Sequence, residues 1–221
     1  MTWRITTDDI LEQYKNGERN FNGIELIRII GEMGERDGVD GNITGLEGAD
    51  LSDISLRGAN LEQVDLTKTN LTRADLFGAY LHSACLSETI LHYANLQGAN
   101  LHEAYCIKAS FIGATLYSAN LDHSYLVESD STDARLSYMN ASDANFQGAR
   151  LPGFGFERSN LTRANFKDAV HYTRGDICCR SNLIWNTIMP DGSIEGQRPY
   201  IEQHPYMYGN REINKGERIF P

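Results

Sequence analysis

A large apolar residue recurs at every fifth position through most of this chain. Stepping by five from Leu46 to His171 visits 26 positions, of which eighteen are Leu and four are Phe (Phe111, Phe146, Phe156, Phe166). The exceptions are Cys106, Ser131, Ala141 and His171. Five is neither the helical period of about 3.6 nor the strand period of 2. A helix would scatter these residues around its axis, and a sandwich strand would alternate them. Neither architecture fits the pattern.

The residues around each fifth position, here called the centre, are also patterned. Two before it stands Ala in many units, as at Ala59, Ala74, Ala79, Ala84, Ala94 and Ala99. One before it stands Asn or Asp. Two after it Gly recurs, as at Gly58, Gly78 and Gly98. The centre and the small residue are expected to point inward, and the other three to face water. Gly at the outer position suits a tight turn with positive φ. A chain that turns once in five residues closes a square coil in about 20, and coils stack at roughly 4.8 Å. The run then makes about six coils and a rod on the order of 30 Å long. Residues twenty apart become vertical neighbours.

The A(D/N)Lxx pattern resembles that of the pentapeptide repeat family, and the helix-then-"NGERNFNGIEL" start and "TIMPDG" resemble its cyanobacterial type. The resemblance implies an all-β solenoid: a right-handed quadrilateral parallel β-helix with a short N-terminal α-helical cap and an irregular or hairpin C-terminal cap. On this reading residues 1–20 are the helical cap. Thr7-Asp8-Asp9 starts the helix, Ile10, Leu11 and Tyr14 share a face, and Gly17 stops it. Residues 21–45 offer two early centres, Phe21 and Leu26, then an inserted loop or irregular coil. Residues 46–171 are the β-helix, 172–195 the C-terminal cap and 196–221 a tail. In the cap, Pro190-Asp191-Gly192 reads as a turn, and Leu183, Trp185 and Ile188 are expected to plug the last coil. The coil of Ser131, Leu136, Ala141 and Phe146 departs from the pattern, with Phe146 and Met139 expected to fill the space. Phe154, standing where a small residue is expected, predicts a local bulge or a changed turn.

Net charge is −10, with pI about 5.0. This disfavours non-specific binding to nucleic acid or anionic membranes. No apolar run approaches a membrane span of about 20 residues, and "MTWRITTDDILEQYKNG" lacks the apolar core of a signal peptide. A cytoplasmic location is expected, with no nucleic-acid or membrane partner and a monomeric or weakly dimeric chain. No nucleophile-elbow, P-loop, Rossmann or zinc-finger pattern is present. An enzyme is not expected, and no cofactor is called for. The four cysteines, Cys85, Cys106, Cys178 and Cys179, form no disulfide framework.

The step of twenty groups outward residues into columns. Tyr105 and Tyr125, with Ile107 and Val127, are expected to project from one face as an apolar patch rimmed by polar residues. Such a patch fits contact with another chain or cover by the tail. Glu62, His82, His102 and Asp122 form a polar column that reads as a solvated ladder, no metal being expected; His82 and His102 are the alternative candidates for metal ligands. Asn100, Asn120, Asn140 and Asn160 are expected to hydrogen-bond along the rod.

The functional expectation is a non-catalytic protein-interaction module. The alternative is an acidic DNA mimic, because the quinolone-resistance branch of the family engages DNA gyrase. The repeat carries 15 acids and 9 bases, and no column keeps its carboxylates: Asp50, Asn70, Ile90, Ser110, Asp130, Arg150 is typical.

Overall fold

The computed structural model describes residues 3–27, 43–153, 155–178 and 180–196. Its repeat region is a stack of coils in parallel register. Asp50 pairs with Asn70, Asn70 with Ile90, Ile90 with Ser110, Ser110 with Asp130, and Asp130 with Arg150. Every step is twenty residues, and four such columns run along the stack. Each rung uses both backbone groups: Leu51 N–H donates to Asn70 C=O (2.8 Å), and Asn70 N–H donates to Ala49 C=O (2.8 Å). The backbone of one coil is thereby satisfied by the next.

The corners explain the outer pattern. At the regular corners the N–H three residues after a centre donates back to its carbonyl, as Ala74 does to Leu71 at 3.0 Å. The residue between, two after the centre, has positive φ, the demand of a type II turn. Gly meets it at Gly58 (φ 60), Gly78 (φ 61) and Gly98 (φ 66), but so do Asp53 (φ 61), Lys68 (φ 61) and Glu103 (φ 56). The Asn or Asp before the centre supports the corner. Its side-chain oxygen accepts from the N–H two residues on, as Asn60 does from Glu62 (3.1 Å) and Asp130 from Thr132 (2.9 Å). This local bond is the Asx turn, and it accounts for the residue preference at that position.

The centres fill the interior, with Leu81, Leu101, Leu121 and Leu161 fully buried in one column. Where Thr replaces the inward Ala, its hydroxyl finds a carbonyl: Thr69 donates to Leu46 and Thr89 to Leu66, both at 2.7 Å. Burial pushes the Cys106 thiol well above its usual range, so this cysteine behaves as an apolar filler. Phe146 and Phe166 stack at 5.0 Å and 7°, with Phe156 edge-on to both. Met139 and Phe146 are buried, as are Ser131 and Ala141 of the irregular coil.

The ladder changes in the expected region. A step of twenty would pair Arg135 with Gly155; instead Ser137 pairs with Glu157. The turn bond there runs from Gly155 N–H to Pro152 C=O (3.0 Å), one residue later than at other corners. Phe154 itself lies outside the described residues.

At the N-terminus, α1 (Thr7–Lys15) is capped by Thr6, one residue earlier than the sequence reading, in a capping box with Asp9. Its Ile10 is buried, and Tyr14 donates its hydroxyl to Ser52 C=O at 2.7 Å. Phe21 and Leu26 are buried as early centres. A strand not anticipated from the sequence, β1 (Trp3–Ile5), pairs in parallel with β2 (Ile24–Leu26) and places Ile5 beside Leu26. Asn20 and Glu25 in turn pair with Ser55 and Asn60. Residues 28–42, most of the expected loop, lie outside the described residues.

At the C-terminus two expectations are corrected. His171, the last position in the series of five, is exposed, and Tyr172 turns inward instead. Its hydroxyl accepts the Phe156 N–H at 2.8 Å. After α2 (Arg174–Cys178) the chain forms another coil, but the register has slipped. Asn160 pairs with Leu183 and Asn165 with Ile188, steps of twenty-three rather than twenty. Ile184 and Met189 are therefore the buried residues, with Asn182 and Thr187 at the small inward positions. Leu183 and Ile188 are only half-buried and Trp185 is exposed, so the expected plug is displaced by one residue. Asn182 ties this coil down: it accepts from Ser159 N–H (3.0 Å) and donates to Phe156 (3.1 Å) and Ile177 (2.9 Å) carbonyls. Strands β3 (Thr187–Ile188) and β4 (Ile194–Glu195) then pair antiparallel around the Pro190-Asp191-Gly192 turn. The tail from residue 197 and Cys179 lie outside the described residues. No helix among the described residues is long and apolar enough to cross a membrane.

Candidate functional site

The outward columns meet the expected partners. Tyr105 pairs with Tyr125 through the backbone, and their rings stack at 5.1 Å and 4°. They remain 46% and 42% exposed, so stacking leaves a broad aromatic face open to solvent. Ile107 is 38% exposed and Val127 is half-buried. Lys108 N–H donates to Val127 C=O at 2.9 Å, which holds Ile107 and Val127 in register on the same two coils. The neighbouring position carries an ion pair, Lys108 to Glu128 at 3.5 Å. The patch is thus a row of apolar side chains edged by exposed charges of both signs.

Just before the tyrosines in the chain lies a polar cluster. His82 and His102 stack at 5.1 Å and 9°. His82 Nδ1 lies 3.1 Å from His102 C=O, and His102 Nδ1 lies 3.0 Å from Asp122 C=O. The adjacent column, Ser83, Glu103, His123, Asp143 and Arg163, joins them. Glu103 approaches His102 Nε2 at 3.5 Å and His82 Nε2 at 4.0 Å. Asp122 takes a hydrogen bond from Ser142 (2.5 Å) and pairs with His123 Nδ1 (3.0 Å). Desolvation raises the Asp122 carboxyl, but the hydrogen bonds from Ser142 and His123 and the charges of His123 and His102 outweigh it. The carboxyl sits below its ordinary range. Arg163 closes the cluster with a two-bond fork onto Asp143.

Two groups of three in this cluster bring one potential ligand atom each within 4.8 Å of one another: His82, His102 and Glu103, and His102, Asp122 and His123. Glu62, the lowest member of the expected column, belongs to neither. The sequence reading missed Glu103 and His123, although the same step of twenty, started one residue later, connects them. It also missed Tyr117 and Tyr138, whose rings lie 5.0 Å apart and tilted. These are separated by twenty-one residues, so a strict column search passes over them.

The amide ladder is present beside the histidines. Asn120 donates to Asn100 (3.0 Å), Asn140 to Asn120 (3.1 Å) and Asn160 to Asn140 (2.9 Å). These bonds stiffen the wall that carries the polar cluster.

Eight copies of the Pentapeptide repeats family pattern match the chain, over residues 54–92, 94–130 and 140–169. The gap at 131–139 coincides with the irregular coil. Among solved structures, HetL, a pentapeptide repeat protein involved in heterocyst differentiation regulation from the cyanobacterium Nostoc sp. strain PCC 7120, is 25% identical; the match covers 86% of this chain and all of that one, with a TM-score of 0.30. A pentapeptide repeat protein of the Arabidopsis thaliana thylakoid lumen is 25% identical over 47% of this chain and 66% of that one, with a TM-score of 0.33. QnrB1, a plasmid-mediated fluoroquinolone resistance protein, is 15% identical over 83% of this chain and 90% of that one, with a TM-score of 0.26. No curated protein is significantly similar in sequence.

Proposed function

This chain is a pentapeptide repeat protein, and from that membership we propose that it is a non-catalytic protein-interaction module. Its β-helix takes the right-handed sense of the family, with α1 and the β3–β4 hairpin as terminal caps, and it works in the cytoplasm. The binding face is centred on Tyr105, Ile107, Tyr125 and Val127, and the partner is a folded protein with a matching apolar surface. The observation that carries this reading is the open tyrosine stack. Two aromatic rings held parallel by a hydrogen-bonded backbone lose little conformational freedom on binding, and aromatic residues dominate the energetic centres of interfaces. The Lys108–Glu128 pair supplies a polar rim.

The acidic DNA-mimic reading finds less support in the charge arrangement. Carboxylates along the rod are interleaved with bases one coil away: Arg73 on Asp53, Lys68 with Glu88, Lys108 with Glu128 and Arg163 on Asp143. A surface resembling a phosphate backbone needs unneutralised rows of negative charge.

Affinity capture from the native host with the wild-type chain and with Tyr105→Ser/Tyr125→Ser tests the proposal. A partner captured by the first and lost by the second is expected. Identical captured proteins would discard the patch. Inhibition of gyrase supercoiling at micromolar chain would instead favour mimicry.

A further inference from the structure

The hydrogen bonds at His82 and His102 fix more than ring position. A backbone carbonyl only accepts, so the Nδ1 beside it carries a proton in each ring. In the neutral ring Nε2 is then the lone-pair atom. Both Nε2 atoms face the Glu103 carboxylate, at 3.5 Å from Oε1 and 4.0 Å from Oε2. A lone pair facing an anionic oxygen at this range is repulsive unless a proton or another cation lies between them. A cation between them turns the contact into an attraction. Ser83 adds a hydrogen bond to Glu103 Oε2 at 3.2 Å, which aims the carboxylate at the two rings.

We infer that His82 Nε2, His102 Nε2 and a Glu103 carboxylate oxygen form a binding site for a divalent ion of the zinc class. Two imidazoles and one carboxylate, with a fourth position left for water, are a donor set that such ions accept. The carbonyls of His102 and Asp122 supply the outer hydrogen bonds that orient metal-bound imidazoles. The three ligand atoms lie within 4.8 Å of one another. Tetrahedral bonds of about 2.0–2.1 Å require separations of roughly 3.4 Å, so binding draws ligand atoms that start within 4.8 Å of one another together by up to about 1.4 Å. Glu103 is exposed and the two rings are partly so, which leaves room for that adjustment. His123 is not part of this site: it faces Asp122 through Nδ1, on the side where His102 presents its N–H rather than its lone pair.

The site goes beyond the interaction reading and does not depend on it. Titration of the full chain with Zn²⁺ at neutral pH, followed by calorimetry, tests it. One ion per chain is expected. His82→Ala and Glu103→Gln are each expected to weaken binding by at least about tenfold, with circular dichroism unchanged. Glu103→Gln keeps the side-chain shape, so its effect does not depend on how well the histidine variant folds. His92→Ala, whose ring bonds Ser110 on another wall, is expected to bind as wild type. A proton-only cluster would show no saturable binding below about 100 µM Zn²⁺, which overturns the site. Binding that survives both His82→Ala and Glu103→Gln overturns it equally.

Discussion

Tyr105 and Tyr125 are twenty residues apart in sequence, yet their rings lie 5.1 Å apart and within 4° of parallel. Nothing but the coil period brings them together. Tyr105 N–H donates to Ala84 C=O and Tyr125 N–H to Ala104 C=O, both at 2.9 Å, so the rings sit on a fixed rail. A double-mutant cycle of Tyr105→Ser and Tyr125→Ser is expected to give a coupling of about 0.5–1 kcal/mol by denaturant unfolding. Additivity within error would mean the rings do not stack in solution.

Ser129 stands at an inward position that many other coils fill with Ala, and its buried hydroxyl has no hydrogen-bond partner. The comparable Ser124 donates to Leu121 C=O at 2.6 Å. Ser129→Ala is expected to stabilise the fold by about 1 kcal/mol, while Ser124→Ala is neutral or destabilising. The two midpoints in urea separate these outcomes.

Asn182 satisfies three buried backbone groups across the register slip. Asn182→Ala leaves the Ser159 N–H and the Phe156 and Ile177 carbonyls without it. A loss of about 2–4 kcal/mol is expected in equilibrium unfolding. A loss below roughly 0.5 kcal/mol would show that the last coil does not contribute to cooperative stability.

Gly98 and Gly113 share positive φ (66 and 67), but only Gly113 lies under a ring. A Cβ on Gly113 would come within 2.6 Å of Tyr93, whereas one on Gly98 meets nothing within 4 Å. Both substitutions by Ala carry the left-handed cost of about 1 kcal/mol. Gly113→Ala is expected to cost more, and Tyr93→Ala in the same chain to remove the excess. Equal thermal shifts for the two glycines would contradict the close ring contact.

Several carboxyls sit below their ordinary range in the fold. A side-chain hydrogen bond from Arg73 lowers Asp53, one from Thr6 lowers Asp9 and one from Ser193 lowers Asp191. At Asp122 the lowering prevails over desolvation. The folded state therefore binds fewer protons than the unfolded chain in acid. The stabilisation is full above the ordinary carboxylate value of about 4 and is lost as pH falls through the lower folded values. The melting temperature should fall below about pH 4. Asp122→Asn should lie below wild type at neutral pH and converge with it in strong acid. A pH-independent gap would assign the loss to packing instead.

The legible part of this protein follows from its period. Leu81 and Leu101, Asn100 and Asn120, and Tyr105 and Tyr125 could each be paired by counting, because every regular coil contains the same number of residues. Glu103 was equally within reach of counting; what counting could not supply was its carboxylate turned back onto the imidazoles of the column beside it. That depends on side-chain torsions and on which nitrogen meets a carbonyl. Tyr117 and Tyr138 escaped because their step is twenty-one.

The sequence by itself determined the inward columns, the corner positions and the amide ladder, since a repeating local pattern needs only a constant repeat length to become a stack. Tertiary structure alone decided where that constancy fails. Ile184 and Met189, rather than Leu183, Trp185 and Ile188, complete the core because three additional residues around α2 shift the last coil to a step of twenty-three. Ile5 joins the first rung because β1 returns to β2 across the helix. An insertion resets every later face, and how much chain it absorbs is settled by packing against the coil beneath it, not by the repeat.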